Sequence, residues 1–214
     1  MKRSSSMLRL LQSRVSLGSL VLPLLLGCAL TSKGEALTPR YFTPLLEPEG
    51  AAAKVTAREN NELRLGMVAP ATHLEQRIAY RVSDTELAYY DDRRWSEPPE
   101  ELVRRALERE LFEKRGLQRV VSGSAPTLDI DVVGFEELRE SHQARVSLRV
   151  TLHDERRSQL ERTFTVDVPV GPGEDPGPAL ARAMAGALAA TIQQVADATL
   201  TELGGERDSV AARP

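Results

Sequence analysis

The sequence predicts an α+β fold: an antiparallel sheet with two amphipathic helices packed on one face, in a single domain. Three observations carry this. Apolar residues recur at helical spacing over 96–116 and again over 179–203. Alternation of apolar and polar residues runs through 144–152 and, with Arg162 as an exception, through 160–168, which marks strands with one buried and one wet face. The length that remains after an N-terminal leader suits one domain and a tether.

The leader comes first. Lys2, Arg3, Arg9 and Arg14 precede a short apolar run from Val15 to Gly27. A basic start, an apolar core and a small residue before the cut are the marks of a secretory signal. The segment Leu25-Leu26-Gly27-Cys28 resembles the bacterial lipobox, with Leu26 bulkier than the residue usual at that place. In such signals the cysteine thiol takes a diacylglycerol group and the peptidase cuts before it. Residues 1–27 therefore read as a lipoprotein signal peptide, with cleavage between Gly27 and Cys28 and lipid attachment on Cys28. An ordinary cleaved signal and an uncleaved transmembrane helix are the competing readings. The apolar run is short of the roughly 20 residues that a span requires. Several acyl chains on one cysteine would hold the domain at a membrane, where one chain alone anchors only marginally.

Residues 28–60 read as the lipidated N-terminus and a tether, rich in Ala, Pro, Glu and Gly. Tyr41-Phe42-Thr43 is a β-prone island suited to an edge strand, with Pro44 next to it. The folded domain is expected over 61–204. Leu63, Leu65 and Met67 alternate with other residues, and Ser83-Asp84 punctuates a hairpin between 76–82 and 85–90. In the first helix, Ser96 or Glu97 would cap and Pro98 suits the first turn. Leu102, Val103, Ala106, Leu107, Leu111 and Phe112 share one face, and Gly116 stands at the C′ position.

Strands return at 118–122 and at Leu128, Ile130 and Val132, then in the alternating pair. A Gly- and Pro-rich break at 171–178 leads into the second helix. Its stripe is Leu180, Met184, Leu188, Ile192, Val195 and Leu203, and Gly204-Gly205 should end it. Residues 205–214 read as a disordered tail.

Composition excludes some functions. Without residues 1–27 the chain keeps 24 basic and 31 acidic residues, a net charge of −7. A nucleic-acid binder would show the opposite sign and a basic stripe, so no nucleic-acid partner is expected. The chain has one cysteine, so a mature domain with Cys28 acylated has no disulfide available. His73, His142 and His153 lack metal-ligand spacing and read as solvated side chains. Asp129 and Asp131 share a wet strand face without a visible partner. No nucleophile elbow or phosphate loop is present in the sequence, so no enzyme and no cofactor are expected beyond the covalent lipid. Trp95, beside Tyr89 and Tyr90, is either an aromatic platform for a partner or the pin that sets the first helix on the sheet. Arg104, Arg105 and Arg109 read as the wet face of that helix.

A family resemblance lies in Gln76-Arg77-Ile78-Ala79-Tyr80-Arg81, Leu87-Ala88-Tyr89-Tyr90, Trp95-Ser96-Glu97-Pro98-Pro99 and Leu102. These stretches resemble the ABC-type transport auxiliary lipoproteins of the paraquat-inducible type. Cys28, Tyr41-Phe42-Thr43 and 179–203 correspond to that family's lipobox cysteine, early aromatic pair and C-terminal helix. The resemblance spans roughly 41–200, and Ala71-Thr72-His73-Leu74 departs from it. It implies an outer-membrane-anchored lipoprotein that faces the periplasm and serves a lipid-trafficking system. The implied partner is a periplasmic MCE-domain protein, with a homo-oligomer possible; on the aromatic-platform reading, Tyr89, Tyr90 and Trp95 would be the contacts. The alternatives are a lipid-anchored assembly or regulatory factor for an envelope complex, and last a lipid-anchored hydrolase.

Overall fold

The chain order is β1 (Arg40–Phe42), β2 (Glu62–Pro70), β3 (Arg77–Ser83), β4 (Glu86–Trp95) and α1 (Pro99–Glu108). A π-helical segment (Arg109–Lys114) extends α1, and β5 (Gln118–Arg119), β6 (Thr127–Leu138), β7 (Gln143–His153), β8 (Ser158–Pro169) and α2 (Pro176–Ala211) follow. This computed structural model describes residues 37–44, 62–173 and 175–211, with side chains to 204. All of these elements fall in the unit Thr38–Pro214. The leader, Gly27-Cys28 and most of the tether lie outside the described residues.

β6 is the spine of the sheet. Along one edge it pairs in parallel with β2 from Thr127 to Val132 and with β3 from Glu136 to Leu138. Along the other it pairs antiparallel with β7, which in turn pairs antiparallel with β8. β4 folds back on β3, and β1 adds a parallel edge strand to β4. The α+β class and both helices hold, but the sheet is mixed where an antiparallel one is expected. Alternation reports that one face of a strand is wet and says nothing about the direction of its neighbour.

One apolar cluster lies between the sheet and the helices. Leu102, Val103, Ala106, Leu107 and Leu111 are buried there, as is the full α2 stripe from Leu180 to Leu203. Thr191 and Thr199 are also buried, and each hydroxyl donates at 2.8 Å to the carbonyl four residues back, which removes the penalty for an unpaired donor. Arg115 links the two helical elements, with Nε 2.9 Å from Glu110 and Nη1 2.8 Å from Asp197 on α2.

Four expectations shift. Met67 follows Leu63 and Leu65 in the sequence alternation but is 63% exposed, because a bulge between Leu65 and Val68 changes the phase and buries Val68 instead. The first helix starts at Pro99 without a side-chain cap: Ser96 accepts a bond from Thr43, and Glu97 pairs with Arg105. α2 runs through Gly204-Gly205 to Ala211, so neither the stop nor the tail falls where expected. A helical glycine costs about 1 kcal/mol, which does not by itself end a helix. β6 continues past Val132 through Gly134, where a second bulge hides the alternation.

Candidate functional site

The face of the sheet away from the helices carries the polar residues of β3, β6, β7 and β8. Alternation puts them there, and the register decides who meets whom. Arg81 reaches Glu136 with Nε at 2.8 Å and Nη2 at 3.2 Å. Arg145, opposite Glu136 on β7, grips both Asp167 oxygens at 2.7 Å from Nε and Nη2. The row Arg81, Glu136, Arg145, Asp167 therefore alternates in sign across four strands. Bidentate carboxylate–guanidinium pairs fix geometry as well as charge. Arg145 is held above its ordinary pKa, first by its bonds to Asp167.

The same face continues toward the start of β6. Asp129 accepts the Met67 backbone N–H at 2.7 Å and lies 2.9 Å from His153 Nε2. Asp131 stands 4.0 Å from Arg149. Ser147 and Thr165 share a bond of 2.8 Å. Asp129 and Asp131, which the sequence leaves without partners, thus belong to this paired surface. Cross-strand partners depend on register, which a single sequence does not print. Such a face is polar, largely self-satisfied and uncovered by either helix.

The aromatic residues separate. Trp95 is fully buried, stacked edge-on against Phe135 at 5.4 Å, and paired in register with Phe42. It has no surface to offer a partner; it pins the end of β4 ahead of α1. Tyr89 and Tyr90 are half-buried on opposite sides of the strand. The Tyr89 hydroxyl donates to the His73 carbonyl at 2.7 Å, and the Arg77 guanidinium lies 4.3 Å from its ring. Tyr90 donates to Glu137 at 2.5 Å, with Arg93 at 4.3 Å and Tyr80 at 4.6 Å from its ring. Burial first, and then Glu137, push the Tyr90 hydroxyl up to about 12. It stays protonated and acts as a donor.

His142 is exposed as expected, but the other two histidines are less solvated: among the described residues His73 Nε2 is buried without a partner, and His153 is tied to Asp129. Among the described residues no group of three or more His, Cys, Asp or Glu could hold a metal ion, and no helix is long and apolar enough to cross a membrane. Arg105 sits on the wet face of α1 as expected, bonded to Glu97 at 2.8 Å. Gly27 and Cys28 lie outside the described residues.

Comparison with known proteins adds the following. Residues 45–196 match the model of a family described as the ABC-type transport auxiliary lipoprotein component. No curated protein matches in sequence. The fold is similar to that of a solved Xanthomonas campestris protein described under family DUF330. That match has 23% identity and a TM-score of 0.62, covering 79% of this chain and 98% of the other. A second solved structure, of an uncharacterised protein, shares 18% identity at a TM-score of 0.59, covering 75% of this chain and 97% of that one.

Proposed function

Because this chain belongs to the ABC-type transport auxiliary lipoprotein family, we propose that it is a lipid-anchored docking component of an intermembrane lipid transport system. In this reading Cys28 carries the acyl chains and holds the domain at the outer membrane, facing the periplasm. The domain is non-catalytic and receives a periplasmic MCE-domain protein of the transporter. The family match, which runs from ahead of β2 into α2, is the observation that carries the reading.

The uncovered sheet face supports it as the place of contact. Its central row from Arg81 to Asp167 is already paired, so docking there need not bury a lone charge, the expensive event at an interface. Anchoring raises the local concentration, so a weak surface suffices. Tyr89, half-buried at the β3–β4 side of this face, remains a contact residue in this proposal; Tyr90 lies on the opposite side.

Full-length protein extracted from membranes should show loss of residues 1–27 and added acyl mass at Cys28. Mild crosslinking in cells should capture an MCE-domain protein. Cys28→Ser, exported through a non-lipoprotein signal, should still be captured in a pull-down yet leave the outer membrane permeable. Full barrier function without the lipid, or no such partner, would favour an assembly or regulatory factor instead.

A further inference from the structure

We propose that the β1 corner of the uncovered sheet face lies on the bilayer that holds the anchor, with Tyr41, Arg94 and Arg77 meeting lipid headgroups. The proposal rests on the anchoring of Cys28 put forward above.

The register builds the surface. Tyr41 pairs with Arg94, and Arg94 with Arg77, across β1, β4 and β3. Phe42 and Trp95, next along their strands, are buried, so Tyr41 and Arg94 point the other way. Arg77 lies over the Tyr89 ring at 4.3 Å. One row thus reads Tyr, Arg, Arg, and the Tyr89 ring of β4 packs against its last arginine.

This row differs from the rest of the face. Tyr41 is 62% exposed, among the few large apolar side chains left in water. Arg94 donates to the backbone carbonyls of Tyr90 and Arg93 at 2.8 Å and forms no ion pair among the described residues. Among the described residues Arg77 forms an ion pair only with Glu75, at 3.4 Å and largely exposed. Farther along, Arg81 and Arg145 are both locked to carboxylates. A tyrosine with an apolar body and a polar tip, beside arginines whose charge is unspent, suits the headgroup layer.

Chain length supplies the occupant. Arg40 lies twelve positions after Cys28, a reach of about 40 Å at full extension. β1 is the described strand nearest the anchor in sequence, and it is an edge of the sheet. β8, beyond β4, β3, β6 and β7, lies several strand spacings of about 4.8 Å farther. A tethered bilayer therefore meets the β1 corner at high effective concentration.

The test uses spin labels on full-length protein in vesicles of phosphatidylethanolamine and phosphatidylglycerol. Thr43→Cys reports two residues from Tyr41, and Thr163→Cys reports on β8. The unsubstituted protein is exposed to the label first, because its one thiol should be blocked by lipid. The expected result is no label on that protein, a Thr43 site reached by oxygen more than by a water-soluble nickel chelate, and the reverse at Thr163. Adding Tyr41→Ala with Arg94→Ala should return the Thr43 site to the Thr163 behaviour. A free thiol at Cys28 would overturn the anchoring reading and this proposal together. A blocked thiol with equal, water-like behaviour at both sites would overturn this proposal alone. Shielding of the Thr43 site from both probes would also overturn it, as the sign of a protein occupant, a second copy or the transport partner.

Discussion

The Arg81 guanidinium holds the Glu136 carboxylate by two bonds, and Glu136, 3% exposed, has no other cation within bonding distance among the described residues. Removing one partner strands a buried charge, whereas replacing both does not. Arg81→Ala should therefore cost about 3 kcal/mol in urea unfolding, while Arg81→Met with Glu136→Leu should recover to within about 1 kcal/mol of the parent. If the face docks a partner, the double variant should keep its melt and lose capture in a pull-down.

Glu110 gives a pH-dependent contribution. Burial would push its carboxyl up, yet bonds from Arg115 and Lys114 outweigh it and hold the pKa below the ordinary value of 4.5. A lowered folded pKa stabilises the fold above the ordinary value, and that contribution fades as the pH falls through the folded pKa. Glu110→Gln should thus lose about 1–3 kcal/mol at pH 7. The gap to the parent should narrow steadily below about pH 4.5, as read by thermal unfolding across pH.

Gly177→Ala sets two effects against each other. Alanine in a helix ordinarily gains about 0.5–1 kcal/mol over glycine. Here its Cβ would run into the Phe42 ring, which must move. Overpacking of this kind costs about 1–3 kcal/mol and wins. The variant should melt lower and release β1, seen as faster amide exchange at Ser96, whose N–H donates to the Phe42 carbonyl at 2.9 Å.

Leu188 sits at the centre of the α2 stripe with no exposed surface. Leu188→Ala should cost about 2–5 kcal/mol in denaturant unfolding. Leu188→Asp should leave no cooperative transition, because an unpaired buried carboxylate adds several kcal/mol more. A parent-like melt for either would contradict the helix face.

The helices were legible because their apolar stripes are long and in phase from Leu102 to Leu111 and from Leu180 to Leu203. The alternation of β7 and β8 was equally plain. What escaped was phase and partnership. Met67 changed sides at a bulge, Gly134 interrupted β6, and Pro99 began α1 without the cap that Ser96 promised. The pairs Arg81–Glu136 and Arg145–Asp167 join residues 55 and 22 positions apart. The sequence marks each as polar on a wet face, but only strand order and register make them partners. Cys28 is a different case: its reading rests on one short linear stretch, and it lies outside the described residues.

The position of β6 sets an order of events for the growing chain. β2 and β3 lie end to end along it, so Arg64 of β2 waits 63 residues for Thr127. A chain made from its N-terminus offers β2, β3, β4 and α1 before their common neighbour exists. During that interval the strands expose apolar faces and bare edges, the condition in which chains aggregate. The β6–β7–β8 meander has no such delay, because its strands meet across short turns. The second half of the domain is therefore the template, and the first half must be kept apart from other chains until it arrives.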